Sequence, residues 1–144
     1  GWYNKFMKKV LTAIAVIAIL LGLAIYIIPK KTSLNDDKNN LIVVDRPKTG
    51  EMAVSPLSIS GKARGYWYFE ASFPVRLLDG NSKLLALKPA QAEDNWMTEE
   101  FVPFSVTLEF EKPETETGTL ILQKDNPSGL PEHDDELRIP VRFR

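Results

Sequence analysis

The sequence predicts an all-β fold for most of the chain: a two-sheet antiparallel β-sandwich of about seven strands, preceded by one N-terminal transmembrane helix. Three observations carry that prediction. From residue 41 onward, apolar residues recur at every second position in short runs. Those runs are separated by Pro, Gly, Asn and Asp, and one long uncharged stretch stands near the N-terminus. Period-two alternation puts one face of a strand into a core. About seven such runs in roughly a hundred residues is the profile of an aligned two-sheet sandwich.

The uncharged stretch is residues 10–28 (VLTAIAVIAILLGLAIYII). At about 1.5 Å per residue it forms a helix roughly 28 Å long, close to the hydrocarbon thickness of a bilayer. A core helix would show a polar face, and this run has none. Tyr26 stands where interfacial aromatics collect, and Pro29, Lys30 and Lys31 close the span. Lys5, Lys8 and Lys9 outnumber Lys30 and Lys31, which places the N-terminus in the cytoplasm and the body outside it. Gly22-Leu23-Ala24 has the small-x-small form that a signal peptidase uses. Cleavage there would leave Ile25 to Ile28 as an apolar stub, so an uncleaved single-pass anchor is expected, with the lipid bilayer as its partner through residues 10–28. Met7-Lys8-Lys9 reads as an initiator followed by a basic head.

The chain is thus divided into a basic head and anchor (1–31), a polar linker (32–40) and a sandwich (41–144). Its 144 residues allow one ordinary domain beside the anchor. The absence of cysteine excludes disulfides and thiolate metal sites, so the core alone must hold the sandwich. The formal charge of −1 conceals an asymmetry. Residues 1–31 carry five lysines and no acid, while the remainder carries 13 basic and 19 acidic residues, a net of −6. An acidic body excludes nucleic acid as a partner, because phosphate binding needs a basic patch.

Along the body, Leu41-Ile42-Val43-Val44 is a short β-rich run, and Leu57, Ile59, Gly61 and Ala63 alternate with Ser58, Ser60 and Lys62. Trp67, Phe69, Ala71, Phe73, Val75 and Leu77 then occupy six successive odd positions, which predicts one long strand with that face in the core. Pro74 predicts a bulge, a bend or an edge. Asp79-Gly80-Asn81 signals a turn, with residues 83–88 returning as a partner strand. Further alternation covers Phe104 to Phe110 and Leu137 to Phe143, and residues 119–124 supply another strand after Gly118.

Several motifs occur in order: Val54-Ser55-Pro56-Leu57, Gly61-Lys62-Ala63-Arg64-Gly65, Phe69-Glu70-Ala71-Ser72-Phe73-Pro74-Val75, Trp96, Phe101-Val102-Pro103-Phe104-Ser105 and Asn126-Pro127-Ser128-Gly129. Together they resemble the immunoglobulin-like domain of bacterial spore germination, over about residues 41–144. The resemblance implies an immunoglobulin-like sandwich in an extracytoplasmic setting, with a role in binding or envelope assembly. The chain departs from germination proteins in carrying a helical anchor in place of a lipidated cysteine and no second domain beside the sandwich.

Candidate sites are few. His133 lies in a polar loop with no positioned nucleophile and acid, so no catalytic triad is expected. Glu99-Glu100 and Asp134-Asp135 are adjacent along the chain and read as surface charge. A glycosidase pair stays open, because such carboxylates meet in space. Asp125, Asn126, Asp134, Asp135 and Glu136 offer oxygen ligands but match no calcium spacing, so no metal or other cofactor is expected. Trp96 is expected to fold over an end of the core, and Asn126 to Gly129 to form a tight turn.

The expected ligand-binding residues are Arg64, Tyr66, Tyr68 and Glu70. Strand parity puts Tyr66, Tyr68 and Glu70 on one exposed face, where tyrosines beside a charge suit carbohydrate or peptide. The alternative has Glu70 paired across the sheet with Arg138 or Arg142. The expected function is a non-enzymatic, membrane-anchored cell-envelope binding or assembly module, whose partner is an envelope protein or a cell-wall polymer. The alternatives are a carbohydrate-active enzyme or sugar-binding accessory domain, and a structural spacer.

Overall fold

The computed structural model describes residues 1–12 and 38–144. The chain divides into two compact units, Gly1–Thr32 and Ser33–Arg144. In the first, residues 2–12 are helical and Trp2 stacks on Phe6 with ring centroids 5.5 Å apart. Among the described residues no helix is long and apolar enough to cross a membrane. The expected span over residues 10–28 lies, beyond Thr12, outside the described residues.

The second unit is all-β. Its described residues hold seven strands: β1 (Ile42–Arg46), β2 (Leu57–Arg64), β3 (Ser72–Asp79), β4 (Leu84–Ala92), β5 (Phe101–Leu108), β6 (Thr117–Gln123) and β7 (Glu136–Arg142). They are hydrogen-bonded in the order β1-β2-β5-β4-β3-β6-β7, every neighbouring pair antiparallel. The expected pair of separate sheets is therefore a single series folded over itself. The link is β4, which pairs along its length with β3 and reaches β5 through Gln91↔Ser105 and Ala92↔Phe104.

The series also nearly closes. After β1 the chain crosses to the far edge, where Gly50 N–H donates to Pro140 O (2.7 Å), Ala53 N–H to Arg142 O (2.7 Å) and Arg142 N–H to Glu51 O (3.0 Å). These bonds cover the C-terminal part of the outer edge of β7, at Pro140 and Arg142, which shortens the open template for strand addition and gives the unit a barrel-like outline.

Alternation fills the interior as predicted. Leu57, Ile59 and Ala63 of β2, Phe73, Val75 and Leu77 of β3, Leu120 and Leu122 of β6, and Leu137, Ile139 and Val141 of β7 are all buried. Each large one contributes about 1.5–3 kcal/mol on burial. The long strand expected from Trp67 starts only at Ser72. Before it, Gly65–Trp67 form a single 3-10 turn, and Phe69 and Ser72 close a tight turn through two main-chain hydrogen bonds of 3.0 and 3.1 Å. Trp67 still enters the core, but Phe69 is 40 % exposed.

Candidate functional site

Three loops meet where β2 ends and β3 begins. The segment 65–71 is tied to residues 92–100 by Gly65 N–H donating to Glu100 O (3.0 Å) and Ala92 N–H donating to Ala71 O (2.8 Å). It is tied to the loop after β6 by Asp125 N–H donating to Trp67 O (3.0 Å). Trp96 packs against the core from this end, as its loop position predicts.

The four expected ligand-binding residues all belong to this tip, but they do not share a face. Parity fails because the segment is a turn. Tyr68 is buried, and its hydroxyl donates to Val102 O at 2.7 Å, while its ring lies edge-on to Phe73. Tyr66 is half exposed. Glu70 is exposed, in a left-handed conformation (φ 50°) beside Ala71 (φ 62°). Two successive left-handed residues are the geometry of a primed turn that usually recruits Asn or Gly. Here Glu and Ala adopt it, so the turn is set by the tertiary bonds around it.

The cross-strand pairing of Glu70 with Arg138 or Arg142 is not formed. Arg138 Nε donates to Glu136 at 2.6 Å, and Arg142 Nε donates to Gly50 O at 2.8 Å. Arg64 acts as a clamp. Its guanidinium lies 4.1 Å from the Phe101 ring centre, donates to Asn40 O (3.0 Å) and Glu99 O (3.3 Å), and faces Glu100 at 3.7 Å.

The exposed surface of the tip combines apolar tips with carboxylates. Tyr66, Phe69 and Met97 are exposed, Met97 by 75 %. Around them stand Glu70, Glu93, Asp94, Glu99 and Glu100, all exposed. Over residues 64–72, 92–100 and 124–135 the sequence carries nine acids against two bases, a net of −7 against −6 for the body as a whole. Sequence reasoning missed Met97, which sits in a stretch without periodicity, and assigned Phe69 to the core.

Carboxylates in and beside the loop after β6 are partly met by neighbouring groups. Asp135 pairs with Lys38, Glu136 with Arg76 and Arg138, and Asp134 accepts from Asn126 Nδ2 at 2.8 Å. Among the described residues no group of three or more His, Cys, Asp or Glu could hold a metal ion. His133 ends an exposed 3-10 turn, and Asn126 to Gly129 form the expected turn, Gly129 N–H donating to Asn126 O at 3.2 Å. Two concavities of about 540 and 450 Å³ lie at the opposite end, one beside Asp79 and Thr115 and the other beside Phe110 and Phe143, and one of about 390 Å³ lies beside Lys38, Asp134 and Asp135.

Burial pushes the Tyr68 phenol above the ordinary tyrosine range. The proton is retained in the folded state and lost near pH 10 in the unfolded chain. Stability from this group is therefore complete below pH 10 and falls above it, by about 1.4 kcal/mol per pH unit. Thermal melts should show a larger loss between pH 9 and pH 11 for the wild type than for Tyr68→Phe. An equal loss in both would assign the alkaline sensitivity elsewhere.

A family model for the immunoglobulin-like domain of bacterial spore germination matches residues 41–129, from β1 through the turn at Gly129. No curated protein and no solved structure matches the chain.

Proposed function

The chain belongs to the family of immunoglobulin-like domains of bacterial spore germination, and from that premise we propose that it is a non-enzymatic binding module of the cell envelope. In this reading residues 10–28 anchor it, the body lies outside the cytoplasm, and the tip docks a basic, apolar segment of another envelope protein. Service in germination is one setting for such a module.

The observation that carries the reading is the tip: Tyr66, Phe69 and Met97 held outward amid carboxylates. Exposed apolar side chains grouped on a rigid end mark an interaction surface. The surrounding charge selects the partner, since an acidic rim attracts lysine and arginine and repels anionic wall polymers. This favours protein over polymer between the two expected partners. Tyr68 has no part in the contact, because its ring is inside.

The test uses the full chain in a nonionic detergent and a labelled peptide of alternating lysine and leucine. Binding is expected at low salt, at least about tenfold weaker for Tyr66→Ala/Phe69→Ala/Met97→Ala. The triple variant keeps every charge, so plain charge attraction would leave its affinity unchanged and overturn the reading. Preferential retention on purified peptidoglycan would instead favour the sugar-binding alternative.

A further inference from the structure

The two outer faces of the folded sheet differ in kind. On β2 and β5 the outward positions pair as Ser58↔Thr107 and Ser60↔Ser105, with Lys62 beyond them, as expected of a face turned to water. On the other side one cross-strand row reads Leu87, Arg76, Ile121, Arg138, and the next begins Leu84, Leu78. Leu84 and Leu87 are 50 % and 54 % exposed, and Ile121, between the two arginines, is 1 % exposed. On β5 the outward Phe101 lies under Lys62 and Arg64, whereas Leu84 and Leu87 stand half exposed on the other face, which marks that face as one that meets a partner.

Its charges are unbalanced. Arg76 Nη2 and Arg138 Nε share the single carboxylate of Glu136, at 3.4 and 2.6 Å. Among the described residues Arg76 Nε, though buried, has no acceptor. A guanidinium presents five donors, and the Arg76 side chain is 35 % exposed, so its Nη donors are the ones open to an acceptor from outside. The outward positions of β3 and β7 thus hold three cations, Arg76, Arg138 and Arg142, against the one carboxylate of Glu136, and an acidic partner would restore the balance.

We propose that the outer face of β4, β3, β6 and β7 is a second docking surface, which takes an acidic, apolar segment of a partner protein, with a carboxylate on Arg76 and apolar side chains on Leu84 and Leu87. Its preference is opposite in sign to that of the tip, so the two surfaces select different partners. The proposal does not depend on what binds the tip.

The experiment titrates the full chain, in nonionic detergent, with a labelled peptide of alternating glutamate and leucine. Binding should weaken at least about tenfold in Leu87→Ser and in Arg76→Gln, and stay unchanged in Tyr66→Ala/Phe69→Ala/Met97→Ala. Leu87 is exposed, so Leu87→Ser should fold normally, which circular dichroism checks. Absence of binding, or equal binding by wild type and Leu87→Ser, overturns the proposal. Light scattering that shows a wild-type dimer, converted to monomer by Leu87→Ser, would make the occupant a second copy and also overturn it.

Discussion

Replacing Gly65 with alanine should destabilise the domain by about 3 kcal/mol and dislodge the loop 96–98 from the tip. A methyl group built on Gly65 would lie 1.8 Å from Thr98 O and 2.4 Å from Trp96 O, both main-chain atoms. A side chain in the way could rotate, but here a whole segment must move. Retreat on the other side is blocked, because Gly65 N–H is bonded to Glu100 O and its carbonyl accepts from Tyr68 N–H. Overpacking of this kind costs about 1–3 kcal/mol where the surroundings relax, and more where they cannot. Gly50 is the control: it has a positive φ of 75° but open space around it. Gly50→Ala should therefore carry only the cost of a left-handed alanine, about 1–2 kcal/mol. Urea titrations of both variants separate the two mechanisms. Gly65→Ala should also open the 93–100 loop to protease, because its anchor to the 3-10 turn is gone. A loss no greater than that of Gly50→Ala would mean that the loop adapts freely, and the tip would then be less rigid than its bonds imply.

What the sequence revealed depended on whether structure followed from local period. Strands β2, β5 and β7 could be read directly, because residues such as Leu57, Ile59, Phe104 and Ile139 alternate with outward-facing neighbours, and β6 could be read as the short apolar run Leu120-Ile121-Leu122 after Gly118. Strand β4 extends to Ala92, beyond the expected Lys88, because its last residues are recruited by β5, a long-range pairing with no local signature. The crossing that brings Gly50 and Ala53 onto β7 is equally non-local. The tip was the hardest part. Six apolar odd positions from Trp67 to Leu77 imitate one strand, yet hydrogen bonds from Asp125 to Trp67, Ala92 to Ala71 and Gly65 to Glu100 bend the first half into turns. Glu70 and Ala71 carry no turn signal, so nothing in their identity announces left-handed backbone. The sequence singles out this segment, but the structure turns its side chains in different directions. The outer face at Leu84 and Leu87 was visible only as apolar residues in a predicted strand, and strand pairing was needed to place them beside Arg76.

Phe73→Ala and Phe69→Ala should behave very differently, although the sequence places both on the same face of one strand. Phe73 is fully buried, with its ring edge-on to Tyr68 at 5.1 Å and to Phe104 at 5.0 Å. Truncation removes the burial of a large ring, leaves a cavity between two aromatics and forfeits both edge contacts, at a cost of about 3–5 kcal/mol. Against a total stability of about 5–15 kcal/mol, that is enough to lower the melting temperature by on the order of 15–30 °C. Phe69 rests on the tight turn, and its removal should cost less than about 1 kcal/mol, within the range of surface substitutions. Thermal melts of the two single variants decide the matter. Similar large losses would restore a continuous strand from Trp67 and return Phe69 to the core, which would leave the tip without one of its apolar contacts. A large loss at Phe73 with a small one at Phe69 separates the residue that holds the sandwich from the residue it displays. Phe69→Ala can then be carried into the peptide titration as a folded protein, so that any weakening of the basic peptide there reports on the surface itself.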